Sequence, residues 1–462
     1  MNPRRMMLHS LPPELLTMIF GSLSQNDKYV VVRVSTTFYL ITTPLLWTSV
    51  LLSRLSKVSD FLDAILRPEC KYANMLRSFE IIVLRGTKWH DNSDTIEAEG
   101  ALYNSVKVKL PEAVLRMIRL ETFRVYNTLY RHSLTSIVTP LISISTLKSL
   151  WYLFPILDDD RRKLELPRAH FPNLERLHLT SMLGNLNLDI VKWIRNLVND
   201  HAPHIRDLQL QGTLPSEIIR NDTSWPLLET LQLDQELYPH LVSIMPNIKK
   251  LIVPTLNSAV GFRPLPKLEI VRARSTAVAL GSLLTGCPVH TLELDGVIFN
   301  DDRVDADFSL SSMQQQDNSH IIAAVEQLKT ASVPTRALAF GTYQPNVSLL
   351  ASMLSSLNTL EHLKISFVKD WNKVPDFMED FGKQVLLYLP HLESLAFDDR
   401  RRMSYARGDT GCFTNSRNVQ MQLDIIRSWA DKAYCPLLGR VAFTSLFAWN
   451  KLDGGWINEE IA

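Results

Sequence analysis

Two histidines three apart, His201 and His204 in the segment DHAPH, have a spacing that could serve a metal, since neighbouring imidazoles can share one ion. Pro203 keeps the pair off one regular helix face, and no carboxylate or cysteine stands at a ligand spacing, so both read as loop residues at a structural boundary. Cys70, Cys287, Cys412 and Cys435 lie far apart and form neither a zinc knuckle nor a redox dithiol, which suits a reduced, intracellular setting. No glycine-rich phosphate loop, nucleophile elbow or zincin helix occurs, and glycine is only 16 of 462 residues. Scattered carboxylates, Glu175, Glu229, Glu293, Glu361 and Glu393, recur in a way that a repeating fold explains without acid–base chemistry. The expectation is a chain with no catalytic, cofactor or metal site.

The charged runs argue the same way. Asp158 to Asp160 precede Arg161, Arg162 and Lys163, and Asp398-Asp399 precede Arg400 to Arg402, so each run reads as a solvated, self-neutralising turn. Arg407-Gly408-Asp409 spells an adhesion tripeptide, a coincidence in an intracellular chain. Asn300 to Ser319, Arg85 to Gly100 and Asp398 to Gly411 are polar and are expected as exposed loops. With 46% hydrophobic and 21% charged residues the chain is globular, and a formal charge of +1 provides no bulk attraction to nucleic acid or to an anionic membrane. His9, Pro12, Pro13 and Glu14 interrupt any signal-peptide core, and no apolar run approaches the roughly 18 residues of a membrane span, so a soluble protein of cytoplasm or nucleus is expected.

From about residue 71 the organising signal is a triad of the form Leu-x-x-Leu-x-Leu. Clear copies are Leu174-Leu177-Leu179, Ile205-Leu208-Leu210, Leu228-Leu231-Leu233, Val289-Leu292-Leu294, Leu360-Leu363-Ile365 and Leu392-Leu395-Phe397. Weaker copies are Leu76-Phe79-Ile81, Leu120-Phe123-Val125, Leu147-Leu150-Tyr152, Ile248-Leu251-Val253, Leu268-Val271-Ala273 and Leu438-Val441-Phe443. The last two apolar positions are two apart, the period of a strand with one face inward. Between triads the period changes: Ile190, Ile194 and Leu197, then Leu350, Leu354 and Leu357, recur at helical spacing. A helix–turn–strand unit cannot bury its own apolar face, so copies must stack into a solenoid with parallel strands on the concave side and helices outside. The pattern resembles a degenerate leucine-rich repeat with inserted loops or decayed copies.

Residues alternating with the inward leucines must point out of the sheet. That places Arg176, His178 and Thr180, Asp207, Gln209 and Gln211, Thr230, Gln232 and Asp234, Thr291, Glu293 and Asp295, and His362, Lys364 and Ser366 on an exposed ladder. Arg176, His178, Asp207, Gln209, Gln211, Gln232, Asp234, Glu293, Asp295, His362 and Lys364 are the candidates for binding a target. Polar and mixed in charge, they suit recognition of a protein surface better than of a nucleic-acid backbone.

Ahead of the repeats, Pro12 and Pro13 are compatible with a helix start, and Glu14 lies where the helix dipole favours negative charge. Leu16, Ile19, Phe20 and Leu23 form one apolar stripe, and Leu15 and Met18 broaden it beyond what a single core-facing side needs. After Gly21 and a polar turn over Ser24 to Asp27, a second helix is expected around Val30 to Phe38, and a third ending near Leu46. Three helices in about forty residues rarely bury enough to be stable alone, so this unit should dock.

The same segment resembles an F-box. Leu11, Pro12 and Glu14 match its opening Leu-Pro-x-Glu, Leu15, Ile19, Phe20 and Leu23 its first helix, Val34, Ser35 and Phe38 its Val-Cys-x-x-Trp, and Pro44, Leu46 and Trp47 its closing Pro-x-Leu-Trp. Two departures are Phe38 in place of tryptophan and Lys28-Tyr29 where a leucine commonly follows the acidic residue, here Asp27. The resemblance implies that a Skp-type adaptor, and through it a cullin, binds here. Leu11, Pro12, Leu15, Ile19, Leu23, Val34 and Trp47 become the adaptor-facing candidates, some of which must instead be internal core.

The expected fold class is thus α/β, an N-terminal three-helix F-box followed by an irregular leucine-rich-repeat solenoid, similar to F-box/leucine-rich-repeat proteins common in fungi. The expected division is 8–52 for the F-box, 53–70 for a linker helix, 71–448 for the repeats and 449–462 for a C-terminal tail. The implied role is a non-catalytic substrate receptor of a ubiquitin ligase, with an unknown target protein and no cofactor, nucleic-acid or membrane partner. The alternative is an adaptor-bound scaffold without ligase activity.

Overall fold

The computed structural model describes residues 11–83, 93–127, 134–154, 166–181, 188–212, 214, 216–234, 241, 243–254, 264–273, 284, 286–294, 319–329, 331–342, 346–367, 375–399, 419–431, 434–443, 447–453 and 455–460. The chain is an α/β protein in which N-terminal helices precede an open, solenoid-like sheet of parallel strands. It divides into two compact units, Met1–Leu228 and Glu229–Ala462.

The first unit opens with α1 (Pro13–Gly21), α2 (Gln25–Val31) and α3 (Thr36–Thr48). The second and third helices differ from expectation. The Ser24 to Asp27 stretch is a helix start rather than a turn: the Ser24 hydroxyl accepts from the Asp27 amide and donates to the Asp27 carboxylate, 3.2 and 2.7 Å away. Ser35 likewise caps α3 by accepting from the Phe38 amide at 3.1 Å.

Directly after α3 come β1 (Ser49–Leu52) and α4 (Leu55–Leu66), then β2 (Ser78–Val83), α5 (Ser93–Arg116), β3 (Thr122–Asn127) and α6 (Leu134–Ile142). The unit continues with β4 (Ser149–Phe154), β5 (Arg176–Ser181), α7 (Leu188–Asp200) and β6 (Asp207–Gly212). Strands β1 to β6 pair in chain order, all parallel. Helices follow one-sided burial: Leu55, Val58, Leu62 and Ile65 of α4 are inward, and Arg116 of α5 donates to the carbonyls of Ile65 and Arg67 at the end of α4. Gly212 closes β6 at φ +82°, where a Cβ would fall 1.8 Å from the Ser181 carbonyl oxygen, so only glycine fits.

In the second unit, β7 (Thr230–Leu233), β8 (Lys250–Val253), β9 (Ile270–Ala273), β10 (Thr291–Leu294), β11 (Ala337–Thr342), β12 (His362–Phe367), β13 (Ser394–Asp399) and β14 (Arg440–Ala442) again pair parallel in chain order. Helices α8 (Ser319–Leu328), α9 (Val347–Leu354), α10 (Pro375–Gln384) and α11 (Val419–Asp431) precede β11, β12, β13 and β14 in turn. Residues expected as a tail instead form β15 (Phe447–Leu452) and β16 (Gly455–Glu460), an antiparallel hairpin added to β14.

Every side chain of the twelve triads is at most 7% exposed. Their middle residues stack in register, Phe79, Phe123, Leu150, Leu177 and Leu208 in one unit and Leu231, Leu251, Val271, Leu292, Leu363, Leu395 and Val441 in the other, where Leu338 of β11, outside the twelve triads, fills the place between Leu292 and Leu363. At strand entry one backbone carbonyl accepts from two amides of the next repeat, as Glu175 does from Arg206 and Asp207 and Glu361 from Glu393 and Ser394. Glu175, Glu229, Glu361 and Glu393 all occupy this post, which basic residues such as Lys148, Lys249 and Arg336 fill elsewhere through the same backbone carbonyl; Glu293 does not, lying within β10.

The expected loop at Arg85 to Gly100 is helical from Ser93 onward, being the start of α5. Residues 300–318 and 400–411 lie outside the described residues, as do Asp158 to Lys163.

Candidate functional site

The helical unit holds a very small core. Leu16, Phe20 and Phe38 are buried, with Leu11, Leu23, Val31, Ile41 and Leu45 packed around them. Phe38 meets Phe20 edge-on, centroids 4.9 Å apart at 71°, so the departure from tryptophan leaves a filled core position. Leu11 and Leu23, both adaptor-facing candidates, therefore belong to the rim of this core.

On the other side of α1, Leu15, Met18 and Ile19 form a second stripe at helical spacing and are exposed. Tyr29 and Val30 of α2, Val34 in the following turn, and Tyr39 and Leu40 of α3 are exposed too, with Met18 at 72%, Leu40 at 66% and Val34 at 64%. Eight large apolar side chains are thus exposed together on a unit of about forty residues, a contiguous patch rather than scattered surface residues. Pro12, Leu15, Ile19 and Val34 of the candidates lie on the exposed side. Met18, Tyr29, Val30, Tyr39 and Leu40 were missed by sequence reasoning. Their signal was a surplus of apolar residues beyond the core stripe.

Trp47, the remaining candidate, is engaged within the chain. Its ring stacks on Tyr72 at 4.8 Å and 10° and on Phe61 of α4 at 5.7 Å and 26°; Phe61 in turn stacks on Phe79 of β2 at 5.3 Å. Trp47, Val50 and Leu52 have triad spacing, and Val50 and Leu52 register with Phe79 and Ile81, so Trp47 is the first apolar post of the first repeat. Gln25 of α2 adds a hydrogen bond to the Ser49 carbonyl at 3.1 Å. Helices and sheet are thus fastened to each other within the first unit.

The outward ladder divides by unit. In the first unit the central row runs Glu80, Arg124, Trp151, His178, Gln209 across β2 to β6. Arg124 reaches Glu80 at 3.5 Å and covers the Trp151 ring at 3.9 Å; Trp151 and His178 rings stand 3.8 Å apart. His178 is 4% exposed, contrary to expectation, because Trp151 and Asp207 enclose it. Its Nε2 lies 2.9 Å from the Asp207 carboxylate, an ion-pair distance without hydrogen-bond alignment. Arg176 is exposed, Gln209 and Gln211 are half-buried, and Gln211 accepts from Thr180 at 3.1 Å.

In the second unit Gln232, Ile252, Arg272, Glu293, Ala339, Lys364 and Ala396 form the equivalent row. Across β9 to β13 it sinks into a groove of about 520 Å³. Glu293, His362 and Lys364 line this groove, Gln232 and Asp234 lie outside it, Ser366 is buried at 4%, and Asp295 lies outside the described residues. Ala337, Ala339, Ser394 and Ala396 are groove residues that the triad reading did not select.

His201 is structural. It is 1% exposed, its Nε2 accepts from the Phe171 amide at 2.8 Å, and Nδ1 must then carry the proton toward the Leu197 carbonyl at 2.7 Å. Burial pushes its pKa below the ordinary 6.5, against a smaller opposing effect of the Leu197 carbonyl. Among the described residues no group of three or more His, Cys, Asp or Glu is placed to hold a metal ion, and no helix is long and apolar enough to cross a membrane.

No curated protein matches the chain. One solved structure, titled "Crystal structure of TLR13-ssRNA13 complex", is similar at 12% identity with a TM-score of 0.26, the match covering 63% of this chain and 41% of that one. The chain therefore spans less than half the length of that relative. The F-box-like family matches residues 8–53, so the chain carries an F-box-like domain on the three helices that expose the apolar face.

Proposed function

We propose that this chain is the substrate-recognition subunit of a Skp/cullin/F-box ubiquitin ligase, its repeats being degenerate leucine-rich repeats. The observation that carries the reading is the exposed apolar face of α1 to α3 within the F-box-like segment. A Skp-type adaptor covers that face and links the chain to a cullin. The outward face of the sheet holds a target protein. The chain forms and breaks no bond itself; it raises the effective concentration of a target lysine near a charged ubiquitin carrier, a proximity effect. A soluble protein of cytoplasm or nucleus fits this work.

The fastening through Trp47 supports the reading for the strands of the first unit, because a target held there is useful only if its position relative to the helices is fixed. The test is co-purification of wild type and a Pro12→Ala, Ile19→Ala double variant with adaptor and cullin. Wild type should retain both and the variant neither; adaptor retained without cullin would turn the reading to a scaffold, and no adaptor at all would end it.

A further inference from the structure

Where each strand begins, one residue's carbonyl accepts from two amides of the next repeat, the first of which belongs to the corresponding residue there. These strand-entry posts therefore stand side by side, about 4.8 Å from one repeat to the next. In the first unit the posts ahead of β2 to β6 are Arg77, Glu121, Lys148, Glu175 and Arg206, and their charges alternate in sign at every step. Glu121 is held by Arg77 on one side and by Lys148 at 2.9 Å on the other. The two cations, Lys148 foremost, keep its carboxyl below the usual carboxylate range. The second unit begins in the same way with Glu229, Lys249 and Glu269, Glu229 and Lys249 being 3.2 Å apart. There the alternation lapses where Arg336 follows His290, and again where Glu393 follows Glu361.

The inward face cannot supply this order. Phe79, Phe123, Leu150, Leu177 and Leu208 are all apolar, so a strand beside a wrong neighbour still buries the same kind of side chain. The nearest wrong partner of any strand is the one two places along. In the first unit each such pairing sets like charges together, Arg77 with Lys148, Glu121 with Glu175 and Lys148 with Arg206, whereas every correct pairing sets opposite charges together. Like charges directly opposite destabilise a strand pair. An exposed ion pair adds little to stability, so the use of such a row is discrimination between partners. We propose that the alternating charges at the strand-entry posts specify the strand order of the first unit, by opposing the pairing of each strand with the second one along as the repeats assemble.

The test refolds the full chain carrying Ser78→Cys, Thr122→Cys and Ser149→Cys from urea under a mild oxidant and maps the disulfides by peptide mass. The three positions share one register row, so the native order links position 122 to 78 or to 149. Positions 78 and 149 stand two strand spacings apart, about 10 Å, beyond the reach of a disulfide, so a 78–149 bond reports wrong pairing. Adding Lys148→Glu attracts β4 to β2 and repels it from β3, and should raise the 78–149 share about tenfold. Salt at about 1 M, which shortens the screening length to about 3 Å, should remove most of that rise. Adding Arg77→Glu and Glu121→Lys as well restores the alternation over β2 to β4 with every sign inverted, and should return the share to its starting value. The bonds formed during refolding are scored, so a variant that ends unfolded is read in the same way. An unchanged share with Lys148→Glu, a rise that salt leaves intact, or no recovery on inverting all three signs would overturn the proposal.

Discussion

The guanidinium of Arg124 lies over the ring of Trp151, 3.9 Å from its centroid, and joins strands β3 and β4 across the outward face of the first unit. Glu80 holds the same guanidinium from β2, and His178 closes the other end against Asp207. This row is filled by large side chains packed on one another, with Arg124 Nε and both ring nitrogens of His178 buried without a hydrogen-bond partner, whereas the groove of the second unit is floored by alanine. Attraction of a half-exposed cation to an indole contributes about 0.5–1 kcal/mol. A double-mutant cycle of Arg124→Ala and Trp151→Ala in urea denaturation should therefore return a coupling of that size, and additive effects would show the stacking to be energetically idle.

Within the first unit, Trp47 joins the helices to the first strands of the sheet. Sandwiched between Tyr72 and Phe61, its ring should contribute about 3 kcal/mol, so Trp47→Ala should lower the stability of the isolated chain by that amount in the absence of any partner. If denaturation midpoints are unchanged, Trp47 belongs to a partner-facing surface instead.

His201 makes the fold sensitive to acid. It is neutral in the folded chain and its pKa is lowered by burial, so the unfolded chain binds a proton more readily. Its contribution is complete above about pH 6.5 and is lost progressively as the pH falls below that value. Stability of wild type should fall between pH 6.5 and 5 more steeply than that of His201→Gln, which can still accept from Phe171 and donate to Leu197. Identical slopes would assign the acid sensitivity to other groups.

The strands were legible because a triad has to bury three side chains at fixed offsets, and a one-residue slip would turn them to solvent. β11 escaped notice because Thr335 stands where the first apolar residue belongs; it is buried at 3% with its hydroxyl unpartnered, beside Leu338 and Phe340. β1 escaped because Trp47, Val50 and Leu52 end one motif and begin the next. The C-terminal hairpin was read as a tail although the dipeptide Asp-Gly at 453–454 is a turn signal in the sequence. In the helical unit the surplus of apolar residues was visible, but which of them form the core depends on helix boundaries set by Ser24 and Ser35. Leu11 and Leu23 therefore fall on the rim of the core, while Met18 and Leu40 fall outside.

The central claim is that the exposed side of α1 to α3 is an adaptor-docking face. The measurement is isothermal titration of a purified Skp-type adaptor into wild type, Leu15→Asp and Val34→Asp, with thermal denaturation of each. Both side chains are exposed, so the variants should melt with wild type, while their affinity for the adaptor falls by about 30-fold or more, the loss of a hot spot of at least 2 kcal/mol. Binding that both variants leave intact, or no binding by wild type, would contradict the account.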